Sequence, residues 1–144
     1  MKTYQEFFQQ FLLLYRPFEH HLNIELGKHD LYRAQWSTLY YLANNGSATL
    51  VELAQYQQVE KPTVTRIVSR LEELRYIEPI QSKDRREKPM QLTGLGRKVY
   101  ADVRISVDRF EQDILEGVSE ARQKEAIGVM KEIRNNLISK EPLK

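Results

Sequence analysis

Between Glu60 and Lys98 the chain carries ten basic and six acidic side chains, whereas the rest of its 144 residues carries twelve basic and fourteen acidic ones. The formal net charge of +2 is therefore concentrated in the middle of the sequence. Within that segment Lys61, Pro62, Thr63, Thr65, Arg66, Ser69 and Arg70 recur at spacings that gather them on one side of a helix. Ammonium, guanidinium and hydroxyl groups on one surface can bond phosphate oxygens and the polar edges of bases. A few residues further on, Lys83-Asp84-Arg85-Arg86-Glu87-Lys88 forms a second charged cluster with no apolar member. Two such patches can attract a polyanion even on a nearly neutral protein.

The elements that must position these groups are mostly helical. Phe7, Phe8, Phe11, Leu12, Leu14, Tyr15, Phe18 and Leu22 predict a first helix over residues 4–26, with Pro17 expected to kink or break it and Gly27 to stop it. Trp36, Leu39, Tyr40, Leu42 and Ala43 predict a second helix from about Leu31 to Asn45. Thr49 and Glu52 have capping-box spacing and open a short helix bearing Leu50, Leu53 and Ala54. Pro62 suits the first turn of the next helix, whose apolar stripe is Val64, Ile67, Val68, Leu71 and Leu74. Ile77–Ile80 and Met90–Leu92 read as two short strands around the charged tip, with Pro79 confining the first to an edge. Thr93 then caps a long helix whose face runs Val99, Val103, Val107, Phe110, Ile114 and Val118, and a last helix carries Ala126, Ile127, Met130, Ile133 and Leu137.

Helix, capped short helix, helix with one polar basic face, charged hairpin: this order is the plan of a winged helix-turn-helix. The major groove of B-DNA is ~12 Å wide and admits one helix, which must be apolar behind and polar in front. An arginine at the hairpin tip can enter a narrow minor groove, where negative potential concentrates. The expected fold is thus mainly α with a small β-wing, in which residues 31–96 form the DNA-binding unit of a single domain of 144 residues. Residues 1–30 and 97–144 supply helices whose apolar faces must be buried; a second copy of the chain would cover them, making a homodimer, the alternative being that they close a monomeric bundle.

Other chemistries find less support. No Gly-x-Ser-x-Gly, P-loop or His-Glu-x-x-His motif is present, so neither an enzyme nor a cofactor is expected. His20, His21 and His29 lie among Glu19, Glu25 and Asp30, but adjacent His20 and His21 should point to different sides of a helix, so no metal is expected. The longest apolar run is Phe11–Tyr15, far short of the ~20 residues that span a bilayer, and Glu6, Gln9 and Gln10 interrupt any secretory signal. The expected location is cytoplasmic, with no membrane partner. Ten of the fourteen aromatic residues precede residue 42, which suggests an aromatic-lined pocket for a small aromatic or apolar effector beside the DNA-reading unit.

The stretches Leu53-Ala54, Lys61-Pro62-Thr63-Val64-Thr65-Arg66-Ile67-Val68, Leu71-Glu72, Asp84-Arg85-Arg86 and Leu92-Thr93-Gly94-Leu95-Gly96, with Gln35-Trp36 before them, resemble the MarR (multiple antibiotic resistance regulator) family. The resemblance implies a homodimeric transcription factor that binds a pseudo-palindromic operator in double-stranded DNA, commonly a repressor released by a small ligand. It places Pro62, Thr63, Thr65, Arg66 and Arg70 on the recognition helix and Arg86 at the wing tip. Asp84 would order the wing by pairing with a neighbouring arginine, and Thr93 and Gly96 would start the following helix. Lys61, Ser69, Lys83 and Arg85 complete the expected DNA-contacting set. The wing departs from the family pattern at Glu87 and Pro89, and Tyr76 stands where a glycine often precedes the isoleucine. The alternative is a winged helix that meets an acidic protein partner without sequence-specific DNA binding.

The chain contains no cysteine, so no sulfenate or disulfide can form and oxidants should not switch it through thiol chemistry. Dilute hydroperoxide followed by dithiothreitol should therefore leave DNA binding without a thiol-reversible phase in a mobility-shift titration. A loss of binding that dithiothreitol restored would contradict this.

Overall fold

A computed structural model describes residues 1–81 and 88–141. Six helices and one hairpin follow in the order α1 (Thr3–Gly27), α2 (Arg33–Asn45), α3 (Leu50–Gln57), α4 (Lys61–Glu73), β1 (Ile77–Pro79), β2 (Met90–Leu92), α5 (Gly94–Ile114) and α6 (Glu120–Ser139). The chain divides into two compact units, Met1–Phe110 and Glu111–Lys144. Among the described residues no helix is long and apolar enough to cross a membrane.

The first unit holds the core. Leu22 and Leu26 of α1, Trp36, Leu39 and Leu42 of α2, Leu53 of α3 and the α4 stripe Val64, Ile67, Val68 and Leu71 are buried together with Ile77, Met90, Leu92, Val103 and Val107. Helix α3 begins as its sequence predicts. The Thr49 hydroxyl accepts from the Glu52 amide at 3.2 Å, and the Glu52 carboxylate accepts from the Thr49 amide at 3.1 Å. Gln58, in the left-handed region at φ 53°, ends α3 and turns the chain toward α4. Together α3 and α4 are the helix-turn-helix.

The exit from α4 is tightly specified. The Tyr76 amide donates to the Leu71 carbonyl at 3.0 Å and the Arg75 amide to the Glu72 carbonyl at 2.9 Å, with Arg75 at φ 65°. This is the bond pattern of a Schellman motif, in which an arginine occupies the left-handed position that glycine usually takes. The hairpin comes directly after it, antiparallel, pairing Ile77 with Leu92, Glu78 with Gln91 and Pro79 with Met90. Ala48 bridges β2 from its other side, exchanging backbone bonds of 2.8 and 3.1 Å with Met90, so β1 is the outer strand. The Thr93 amide donates to the Tyr76 carbonyl and the Ile80 amide to the Pro89 carbonyl. Backbone groups at the even positions of β1 therefore face β2, and the odd position of Pro79 faces away. Its missing N–H costs the ladder nothing.

Thr93 locks the hairpin to α5. Its hydroxyl accepts from the Gly96 amide at 2.9 Å and donates to the Arg75 carbonyl at 2.6 Å. The Gly96 α-carbon is pressed against the chain at Tyr76, and a β-carbon at 96 would stand 1.9 Å from the Tyr76 carbonyl oxygen.

Several expectations need correcting. Helix α1 runs through Pro17 without a break; one bond lost to the missing N–H is outweighed by the remaining turns of a 25-residue helix. Ala43 is exposed, so the buried stripe of α2 is Trp36, Leu39 and Leu42. Helix α5 stops at Ile114, because Gly117 takes φ 83° and Ser119 caps α6 by accepting from the Arg122 amide at 3.2 Å; Val118 therefore lies in the connection rather than on the α5 face. Val103 and Val107 belong to the first unit's own core, and Phe110 meets Phe18 of α1 with ring centroids 5.9 Å apart. The rings of His20 and His21 come within 5.4 Å of each other, closer than side chains pointing to different sides of a helix would come. In the second unit no residue of α6 is buried.

The Gly96 contact yields a clear expectation. Gly96→Ala must displace backbone rather than a flexible side chain, and should cost about 3 kcal/mol or more, lowering the Tm by about 10 °C. Gly94→Ala, with nothing within 4 Å of the added carbon, should melt like the parent. Thermal unfolding followed by far-ultraviolet circular dichroism compares the two; equal melting temperatures would refute the steric account.

Candidate nucleic-acid interface

Helix α4 buries one side and presents the other. Behind lie Val64, Ile67, Val68 and Leu71; in front Lys61, Pro62, Thr65, Arg66, Ser69 and Arg70 are exposed, with Thr63 half-buried at the margin. This division results from the i, i+3, i+4, i+7 spacing of the apolar residues, which pins the helix by its back. Glu60 sits at the N-cap without a side-chain hydrogen bond to the helix.

The charged groups of the front are not equivalent. Arg70 is paired with Glu73 at 3.1 Å on the exposed surface, a kind of pair worth ~0–1 kcal/mol and easily exchanged for a phosphate. The Thr65 hydroxyl donates to the Lys61 carbonyl at 3.0 Å and keeps its lone pairs free to accept. Among the described residues no ion pair or hydrogen bond engages the Arg66 guanidinium, which leaves a planar fork of donors facing solvent.

At the hairpin, Lys88 is exposed and Gln91 donates to the Glu78 carboxylate at 3.1 Å across the strands. The expected contacts Lys83, Arg85 and Arg86, and the expected ordering residue Asp84, lie outside the described residues.

A cavity of about 810 Å³ adjoins the helix-turn-helix within the first unit. Tyr15 and Asn23 of α1, Tyr32, Arg33 and Ser37 at the start of α2, and Tyr56, Gln57 and Val59 at the end of α3 and in the following turn line it. Arg33 donates to the Tyr15 hydroxyl and, at 2.7 Å, to the Glu19 carboxylate, and lies 5.3 Å from the centre of the Tyr15 ring. The bond to Tyr15, with Glu19 nearby, holds the Arg33 guanidinium above its ordinary value against the opposing effect of burial. Burial, reinforced by Tyr40 and Tyr41, pushes the Tyr56 phenol up, so it stays protonated and can donate. The Tyr41 and Tyr56 rings pack 4.7 Å apart.

Aromatic enrichment near the N-terminus points toward such a cavity, but nothing in the sequence pattern announces its polar residues. Tyr15 and Glu19 share a face of α1 at i, i+4, but Arg33 stands 18 and 14 positions beyond them, and no periodicity links it to that pair. Other aromatics serve packing, as where Trp36 stacks on Tyr100 with ring centroids 5.2 Å apart. Of the histidines, His29 bonds the Ser106 hydroxyl at 2.8 Å, and His20 and His21 are exposed. Among the described residues no group of three His, Cys, Asp or Glu side chains could hold a metal ion.

Comparison with known proteins places this geometry. The MarR family model matches residues 29–87. The HTH-type transcriptional regulator YwoH of Bacillus subtilis is 40% identical over 93 residues, covering 65% of this chain and 68% of that one. An HTH-type transcriptional regulator of Staphylococcus aureus is 32% identical over 137 residues, covering 93% of this chain and 94% of the relative. The structure of Staphylococcus aureus MarR in complex with salicylate and kanamycin superposes with a TM-score of 0.86 at 31% identity, covering 95% of this chain and 93% of that one. With relatives of this extent, a buried-back helix-turn-helix and a short antiparallel wing, the chain belongs to the MarR family of winged-helix, DNA-binding transcriptional regulators.

Proposed function

We propose that the protein is a homodimeric repressor that binds a pseudo-palindromic operator and leaves it when a small aromatic acid occupies the cavity. The observation that carries the reading is the exposed front of α4, with Arg66 unengaged among the described residues while the opposite side is held in the core. Lys61, Pro62, Thr63, Thr65, Arg66, Ser69 and Arg70 would meet the major groove. From the sequence, Lys83, Arg85 and Arg86 would extend the contact along the backbone, with Asp84 ordering the wing.

The dimer is supported by apolar surface that the chain does not cover. Phe7, Phe8, Phe11, Leu12, Leu13 and Leu14 are all exposed on α1, as are Ile127, Met130, Leu137 and Ile138 on α6. Helices of this kind bury such faces against another element. Twofold pairing would set two copies of α4 about 34 Å apart, one DNA turn.

For the effector, the cavity pairs a cation with phenolic walls, and the related Staphylococcus aureus protein was solved with salicylate. A carboxylate entering here would displace Glu19 from Arg33 rather than meet a bare cation. Selection of bound fragments from random duplex DNA tests the whole reading. A palindromic site is expected; no enrichment would favour an adaptor that binds protein.

The two reading elements should separate by mutation. Arg66→Ala should weaken specific binding and relax preference at one base position per half-site, by about 1–3 kcal/mol of discrimination. Arg86→Ala should weaken operator and scrambled duplex alike, lowering the log–log salt slope by about 0.9 per contact and so about 1.8 per dimer. Titration at several salt concentrations measures both. Full sequence preference in Arg66→Ala would remove α4 as the reader, and an unchanged slope in Arg86→Ala would remove the wing as a contact.

Dimerisation is tested at α1. Phe11, 52% exposed in the single chain, should tolerate Asp in the fold but not in an apolar seam, so Phe11→Asp should sediment as monomer with its helical content kept. Phe110→Asp should instead lower the Tm, because Phe110 packs against the chain's own Phe18. A stable Phe11→Asp dimer would place the seam elsewhere.

A further inference from the structure

Gln57 is the last residue of α3 and lines the cavity, and its side chain reaches back to α2. The amide nitrogen donates to the Thr38 hydroxyl oxygen at 2.6 Å and approaches the Ala34 carbonyl at 3.4 Å. Thr38 is fully buried, and it gives its own hydroxyl proton to that same carbonyl at 2.9 Å. With that proton given to Ala34, the Thr38 oxygen accepts, which fits the amide nitrogen at 2.6 Å. The amide oxygen is turned away from Thr38. Among the described residues no buried side-chain nitrogen or oxygen lacks a partner, so the Gln57 oxygen, for which no partner is found, is open to solvent.

The placement matters because of the residues next in the chain. Gln58 adopts the left-handed conformation, Val59 donates to the Ala54 carbonyl at 3.2 Å while lining the cavity, and α4 starts at Lys61. The cavity wall and the turn that aims α4 are the same few residues. The Gln57 amide, bonded to Thr38 and close to the Ala34 carbonyl, ties that turn to α2.

We infer that Gln57 is the positioning residue through which occupancy of the cavity reaches α4. With the cavity empty, its amide holds the end of α3 to Thr38 and keeps α4 in the pose that binds the operator. A hydroxylated aromatic acid whose oxygen accepts from the Gln57 amide nitrogen competes with Thr38 for that donor, draws the amide off Thr38 and frees the turn. This rests on the cavity being the effector site of the proposed repressor, but the tether itself acts whether or not that site is correctly assigned. Gln57 touches no DNA in this scheme; it acts through α4.

The experiment measures operator affinity of the full-length protein with and without salicylate, for the wild type, Gln57→Leu, Thr38→Val and Thr38→Ser. Thermal melting confirms that each is folded, and calorimetry reports salicylate binding. Gln57→Leu and Thr38→Val should each bind operator about tenfold more weakly without any ligand, and salicylate should weaken them further by less than about twofold while weakening the wild type by more. Thr38→Ser keeps the hydroxyl and should restore both affinity and response. Wild-type affinity in Gln57→Leu and Thr38→Val would overturn the tether. So would a loss of affinity with the wild-type salicylate response intact, since that is what general structural damage produces. If the wild type does not bind salicylate, the effector assignment fails for that probe, and the tether stands or falls on the ligand-free affinities and the rescue by Thr38→Ser.

Discussion

The burial of Val64, Ile67, Val68 and Leu71 is the constraint on which the molecule's function depends. Each fully buried aliphatic side chain contributes about 1.5–3 kcal/mol relative to exposure, and four in one stripe leave α4 a single rotation about its axis. That rotation decides which residues reach solvent. Had the stripe been shifted by one position, Arg66 would face the core and be expelled or left as an unpaired buried charge. The apolar residues of α4 therefore specify its exposed front as firmly as the polar ones that compose it. Leu53 of α3 and Leu39 and Leu42 of α2, on the two helices that pack against α4, belong to the same core and are the other half of the same arrangement.

The exit from α4 adds a second constraint of a different kind. Here hydrogen bonds and steric contact, rather than area, set the geometry. Thr93 ties the Arg75 carbonyl to the first turn of α5, and Gly96 allows α5 to approach Tyr76. The recognition helix, the hairpin and α5 are thus joined through three adjacent backbone segments, and the hairpin's direction is inherited from the end of α4. Coupling of this kind would serve the proposed reading, in which α4 and the wing meet one duplex at a fixed separation.

Much of this is legible in the residues. The capping box at Thr49, the stripe and front of α4, the strand pair around the charged tip and the cap at Thr93 are local patterns. Each depends on residues within one or two turns, which is why spacing alone reveals them. The features that spacing misses are non-local or set by competition. Val118 continues the periodicity of α5, while the positive φ of Gly117 and the cap at Ser119 override it and end the helix earlier. Pro17 suggests a break because the cost of a lost bond is local, whereas the benefit of continuing the helix is spread over its length. Phe110 looks like part of an interface until its contact with Phe18, 92 positions away, is seen within the same chain. The cavity's polar wall brings α1, α2 and α3 together, and the bond from Gln57 to Thr38 spans 19 positions. Composition can announce an excess of aromatic rings, but not which hydroxyl faces which amide.

The outer strand of the hairpin bears on a different problem, that of keeping copies of the protein apart. A strand with one unpaired side offers a row of donors and acceptors that any extended chain can join. In β1 that side is only three residues long, one of them is Pro79, and the missing donor lies on the open side because the odd positions turn away from β2. Glu78, exposed between Ile77 and Pro79, adds a charge beside the gap. The arrangement that makes proline harmless to the ladder also makes the ladder a poor template for a third strand. The outer strand can therefore lie exposed without seeding edge-to-edge aggregation between copies of the chain.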